Sequence, residues 1–355
     1  MTRYHPPRAE APVSLTDEDL RALPKVELHV HLEGTVSAAT AAALARDHGE
    51  VPRDVLVLAD HVTDDTTDDE LRYPAPFVDF DQFVRCFVAT SGQMRAPADL
   101  TAATAAFVAG QSAQGVVWTE ATFTATTLIW QGWDPDAMWD AVADGLGDAP
   151  VGLIIDTPRN LPVQTGRDAV ALAERGLARG LPIVGLGMTG PETSAPTDRF
   201  SFLGTEAQRL GLGFAVHAGE TGGPSYVLDA LAIGAQRIGH GVAIAQDPAV
   251  MAEVAARGVV CEVCPSSNVT LGVVSQMDAH PLAAMAAAGV AVTISSDDPP
   301  FFSTTLTHEL RHAERMLQLD RAGHAVLQRR AASAAFMPDS LRTTVLAAID
   351  AWLAA

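Results

Sequence analysis

The chain has 355 residues, 48% apolar and 19% charged, a composition that belongs to a folded protein with a large core and excludes disordered and fibrous classes. Its 23 basic residues face 43 acidic ones, a net charge of −20, so polyanions and anionic lipid are repelled and neither nucleic acid nor a membrane is expected as a partner. Lys25 is the single lysine, which excludes a phosphate-cradling P-loop and nearly excludes Schiff-base chemistry.

A polar lead-in runs to about Leu23, with His5, Arg8 and Glu10 among prolines and no apolar segment of the signal-peptide kind. Short β-branched runs then recur, each followed by an alanine- and leucine-rich stretch of helical period. The predicted strands are Val26–Val30, Val116–Glu120, Val151–Ile155, Pro182–Leu186, Gly213–His217, Arg237–Gly239, Val259–Val263 and Ala291–Ser295. Repeated strand-then-helix units imply parallel strands joined by crossover helices, and eight of them predict a closed (β/α)8 TIM-type barrel of the α/β class. An open doubly wound sheet is the rival arrangement. A single domain over residues 1–355 is expected, since no repeat, linker or composition shift divides the chain.

Residues 31–115 between the first two strands are too many for one crossover and predict a helical insertion. An acidic stretch, Asp60–Glu70, reads as a solvated loop. Phe77, Phe80, Phe83 and Phe87 follow, several on one helical face, as a lid over an apolar pocket or as core. The longest apolar stretch, Pro281–Ile294, is too short to span a membrane, and three cysteines, Cys86, Cys261 and Cys264, suit a reducing compartment. A cytoplasmic location is the expectation; the oligomeric state is not legible.

Barrel enzymes keep their working residues at the C-terminal strand ends. There the first strand carries His29 and His31, which strand period two places on one face. The fifth ends in His217-Ala218-Gly219-Glu220, the sixth in Gly239-His240-Gly241, and the eighth in Ser295-Ser296-Asp297-Asp298-Pro299. Three histidines and a carboxylate from strand ends form the N/O donor set that zinc prefers, with room for water. Glu220 has the type and position of a base that takes a proton from that water and later hands it to the leaving group. His240 reads either as a fourth metal ligand or as a histidine that aligns the water. Cys261-Glu262-Val263-Cys264 superficially offers the cysteine half of a cytidine-type deaminase site, but its proline follows the second cysteine instead of preceding the first.

The strings PKVELHVHLEGT at 24–35, HAGE at 217–220, RIGHG at 237–241, CPSSN at 264–268 and SSDDP at 295–299 together resemble the adenosine deaminase family of the amidohydrolase superfamily. The resemblance runs from Pro24 to about Phe302. It implies one zinc ion per chain on His29, His31, His217 and Asp297, with Glu220 shuttling a proton to purine N1. It further implies that His240 orients and helps deprotonate the attacking water, that Asp298 hydrogen-bonds N7, and that the Gly190 amide meets N3. The implied reaction is hydrolytic deamination of the 6-amino group of adenosine or a related adenine nucleoside. Glu33 stands where adenosine-acting members carry aspartate, a departure shared with adenine deaminases, and Gly187 replaces the usual aspartate of the string at 184–192. Free adenine and modified nucleosides such as aminodeoxyfutalosine or methylthioadenosine are therefore the alternative substrates, with Glu33, Phe77, Phe80 and Phe83 lining the pocket beyond the base. A non-purine amidohydrolase is a more distant alternative, and a noncatalytic barrel is disfavoured by the complete residue set.

Overall fold

The computed structural model describes residues 14–52 and 70–355. Residues 60–69 of the acidic stretch and the lead-in residues His5, Arg8 and Glu10 lie outside them. The strands are β1 Lys25–His31, β2 Val116–Phe123, β3 Val151–Pro158, β4 Ile183–Thr189, β5 Gly213–Ala218, β6 Arg237–His240, β7 Val260–Val263 and β8 Ala291–Ile294. They pair in parallel in sequence order from β1 to β8. Val30 then bridges Asp297, with the His31 amide donating to the Asp297 carbonyl at 3.1 Å and the Asp297 amide to the His29 carbonyl at 3.1 Å. These contacts join the first strand to the segment after the last, making a barrel and not an open sheet.

Strand order follows from the alternation of strands and helices. A parallel pair needs a crossover, and a right-handed crossover helix covers the outer face of the sheet it rejoins. Burial on both faces explains why the strands read as apolar runs, with β3 and β4 almost wholly buried. No helix among the described residues is long and apolar enough to cross a membrane.

Between β1 and β2 the described residues form helices Ala38–Asp47, Phe80–Ser91 and Pro97–Ala113. The Phe80–Ser91 helix starts where the Asp79 side chain accepts from the Gln82 amide at 2.7 Å. Its Phe83 and Phe87 rings meet Phe301, at 5.8 and 6.0 Å between centroids, and Phe83 meets Phe302 at 5.3 Å. The helix therefore lies across the barrel mouth, against the segment that follows β8. Three helices, Leu306–Leu317, Arg321–Ala334 and Asp339–Ala354, complete the chain.

β1 departs from strict alternation. Its register against β2 shifts between Glu27 and Val30, and Leu28 and His29 both line the small space inside the barrel. Glu27 instead receives the Gln111 amide nitrogen at 2.7 Å and the Ser296 amide at 2.8 Å.

Candidate metal centre and active site

His29 and His31 leave the end of β1, His217 and His240 the ends of β5 and β6, and Asp297 and Asp298 follow β8. The fold brings all six together with Glu220 at the barrel mouth. His31 Nε2 and His217 Nε2 face each other at 3.2 Å. Asp297 Oδ1 lies 3.3 Å from His31 Nε2 and 3.5 Å from His29 Nε2. Possible ligand atoms of His29, His217, His240 and Asp297 all fall within 4.8 Å of one another. Two non-glycine residues of this centre, His240 at φ 61° and Asp297 at φ 63°, hold left-handed backbone, a strain that persists where surrounding structure enforces it. Gly239 is required by packing, because a Cβ there would stand 2.8 Å from the His29 ring.

The donor set fits a cation. His29 Nδ1 is engaged by Glu262 Oε2 at 3.0 Å, which leaves His29 Nε2 buried and without a hydrogen bond, aimed at the other ligands. Burial pulls the His29 imidazole down, yet Asp297 and Glu262 outweigh it and hold its pKa up at about 10, so positive charge is favoured at this point. Burial also opposes ionisation of Asp297, but the adjacent His29 and His31 rings prevail and keep its carboxyl well below the usual range. Burial, reinforced by His29 and His240, drives His217 down and leaves it neutral. A neutral imidazole at His217 and a carboxylate at Asp297 are in the state that binds zinc, and a cation arriving there would take the place of the proton that His29 favours.

Glu220 Oε1 lies 3.6 Å from His240 Nε2. Burial raises the Glu220 carboxyl well above 4.5, and the charges of Asp297 and Glu192 add to it. Asp298 is raised the same way, by burial and then by Asp297. Gly34 makes room for it, since a Cβ there would fall 1.7 Å from Asp298 Oδ1. Burial lowers His240 to about 3.

Above these groups opens a cavity of about 440 Å³, lined by Phe80, Phe83, Gly190, Glu220, His240 and Asp298 among others. Gly190 contributes left-handed backbone at φ 81°. Phe77 stands behind the cavity, packed edge-on against Phe83 at 5.5 Å and Phe302 at 6.5 Å. Glu33 is not among the lining residues. It is buried, with Oε1 accepting the Thr124 amide at 2.9 Å and Oε2 without a protein partner. Burial and the nearby Asp156 push its carboxyl up to about 8.

Several supporting residues escaped the sequence reading. Glu192, buried, accepts the amides of Gly219, Glu220 and Thr221 at 2.6, 2.7 and 2.8 Å and so fixes the turn that carries Glu220. Arg159 donates to the His217 carbonyl and braces the end of β5. Inside the barrel Arg237 donates to both Glu262 and Glu120, with its guanidinium 3.7 Å above the Phe336 ring. The motif strings contain Arg237, Glu192 ends the string at 184–192, and Glu262 sits between the two cysteines. Their partners, however, are tens of residues away. Those cysteines are buried, and burial pushes the Cys261 thiol up to about 12.

A candidate metal centre at the strand ends, with a carboxyl and a histidine beside it, gives the comparisons with known proteins a site on which to bear. The family model described as Adenosine deaminase matches residues 24–352. The aminodeoxyfutalosine deaminase of Streptomyces avermitilis is 35% identical over 345 residues, covering 95% of this chain and 93% of that protein. The adenine deaminase of Cupriavidus necator is 33% identical over 341 residues, covering 94% and 93%. The crystal structure of an adenine deaminase from Arthrobacter aurescens superposes with a TM-score of 0.81 at 27% identity, covering 94% of this chain and all of that one. Motifs, barrel and match over nearly the whole length agree, and the chain belongs to the adenosine deaminase family.

Proposed function

We propose that this protein hydrolytically deaminates the 6-amino group of an adenine nucleoside, releasing ammonia, and that its preferred substrate carries an apolar extension on the sugar and no phosphate. The observation that carries the reaction is the convergence of His29, His31, His217 and Asp297 beside a buried Glu220 whose proton affinity burial raises. Zinc on those four residues, one ion per chain, would supply a Lewis acid that brings the pKa of a coordinated water down toward neutrality.

The chain's own residues supply the rest. Glu220 has the proton affinity to accept a proton at neutral pH and deliver it to purine N1, which makes C6 electrophilic. Asp298, held protonated by burial and by Asp297, is a hydrogen-bond donor for N7. The Gly190 amide is the candidate partner of N3. Water oxygen adds at C6, its second proton passes to the amino nitrogen, the C6–N6 bond breaks to release ammonia, and the ring regains its aromaticity with the oxygen left as the 6-oxo group.

The cavity wall supports the choice of substrate. Phe80, Phe83, Val84, Phe87, Trp130 and Leu161 line it, and no lysine or arginine does among the described residues. Acidic groups at the floor and an apolar wall disfavour a nucleotide phosphate and favour an uncharged or aromatic sugar substituent. The helix Phe80–Ser91 would serve as the lid of this pocket. A modified nucleoside also agrees with the relative that acts on aminodeoxyfutalosine. A second reading, deamination of free adenine, is favoured by Glu33 and by the adenine deaminase relatives.

The test is an ultraviolet deamination assay on zinc-loaded protein with adenosine, 2′-deoxyadenosine, adenine, methylthioadenosine, aminodeoxyfutalosine and AMP. Modified nucleosides should give the highest kcat/KM and AMP the lowest. Adenine as the best substrate would transfer the assignment to the free base. No turnover of any of them, with zinc bound, would overturn the purine assignment.

A further inference from the structure

A chain of three hydrogen bonds reaches His240 from the side away from the metal ligands. The Leu282 backbone amide donates to His280 Nδ1 at 3.1 Å. His280 Nε2 lies 3.1 Å from Asn268 Oδ1, and Asn268 Nδ2 lies 3.3 Å from His240 Nδ1. His240, Asn268 and His280 are all buried, with Asn268 wholly sealed from solvent.

A backbone amide can only donate, so the polarity of the chain is set at its far end. His280 Nδ1 must accept, and a ring that accepts at Nδ1 is neutral and carries its proton on Nε2. Burial, with His312 nearby, lowers His280 to about 4 and keeps it neutral near pH 7. The Nε2 proton is therefore given to Asn268 Oδ1. That orients the amide with its NH2 group toward His240, whose Nδ1 must accept in turn. The remaining proton of His240 is then on Nε2, the atom 3.6 Å from Glu220 Oε1 and 3.9 Å from Asp297 Oδ2.

We propose that Asn268 and His280 are positioning residues that lock His240 as its Nε2–H tautomer. His240 then meets the attacking oxygen as a hydrogen-bond donor, and is neither a metal ligand through Nε2 nor the base that removes the water proton. This selects between the two roles that spacing alone left to His240. Only the identity of the attacking oxygen rests on the deaminase reading; the tautomer does not.

The test begins with two-bond 1H–15N correlation spectra of zinc-loaded protein labelled at histidine, with the His240 signals identified by their loss in His240→Gln. The proposal expects an Nε2–H ring for His240 with an unmetallated Nε2; an Nδ1–H ring or a zinc-bound Nε2 overturns it. Asn268→Asp places at the same position a carboxylate that can only accept, which forces His240 to the Nδ1–H form. The tautomer should flip in the spectrum, zinc content should be retained, and kcat should fall by roughly 10²–10⁴-fold, the scale on which a wrong imidazole tautomer acts. Unchanged or raised kcat in that variant would mean that a His240 lone pair is the working group, and would sink the proposal. If Asn268→Asp does not fold, the spectrum of the unaltered enzyme decides alone. Because that spectrum needs no turnover, failure of the purine assignment and failure of the tautomer assignment give different results.

Discussion

Glu220 is held by its backbone and not by its side chain: Glu192 takes three successive amides of its turn and leaves the carboxyl free to face His240 and the cavity. Glu220→Gln keeps the shape and removes the proton-accepting oxygen. Zinc content should be unchanged and kcat should fall by roughly 10²–10⁴-fold; metal analysis beside the deamination assay checks both, and normal turnover would remove the proton-transfer role. Glu262 acts one step further out, by orienting His29 through Nδ1. Glu262→Gln should weaken zinc binding by roughly 10–100-fold, read by competition with a chromogenic chelator. An unchanged affinity would mean that packing alone orients His29.

The clustering of the candidate donors was legible at this scale because they lie at strand ends and strand ends are visible in a sequence. Glu192 and Arg159 were not, because each acts on a residue from another strand-loop unit, and such pairings exist only once the barrel has closed; His280 reaches His240 only through Asn268. The paired orientation of His29 and His31 was read from strand period two. The structure adds a register shift that also turns Leu28 inward and sends Glu27 toward Gln111, which no alternating pattern conveys.

Among elements, all eight strands were readable, since each is a β-branched run followed by a helical segment. The helix Phe80–Ser91 illustrates what periodicity leaves open. One phenylalanine spacing serves two purposes: Phe83 is shared by the cavity and by contacts with Phe301 and Phe302, whereas Phe77 belongs to packing. Across the cavity, Trp130 from the helix Ala125–Trp130 is 51% exposed at the rim. Trp130→Ala should raise KM for a nucleoside with an apolar extension by about 2–10-fold, the worth of one aromatic contact, and leave kcat and the melting temperature nearly unchanged. Adenine, too small to reach the rim, should be unaffected. Equal losses on both substrates would show that Trp130 does not read the extension.

For the whole molecule, buried neutral histidines make stability depend on pH in a definite direction. His280 has a folded pKa of about 4, below the value of about 6.5 it takes in an unfolded chain, so between those values the unfolded state binds more protons. Stability is full above about pH 6.5 and is lost as pH falls toward 4, with roughly 3 kcal/mol at stake from this one residue. Melting temperatures of the zinc-loaded protein should fall steadily from pH 7 to pH 4.5, and His280→Gln should flatten that decline. A slope unchanged by the substitution would mean that His280 is protonated in the fold without penalty.

Asp297 has two duties that act at the same seam. Its backbone joins the last strand's exit to β1, and its side chain faces His29 and His31 of that same strand. During synthesis the two edges are made at opposite ends of the process, so His29 and His31 wait for almost the entire barrel to emerge before their carboxylate partner arrives. Metal capture there would come late and would double as a clasp, an ion on these residues stapling the earliest-made strand to the latest.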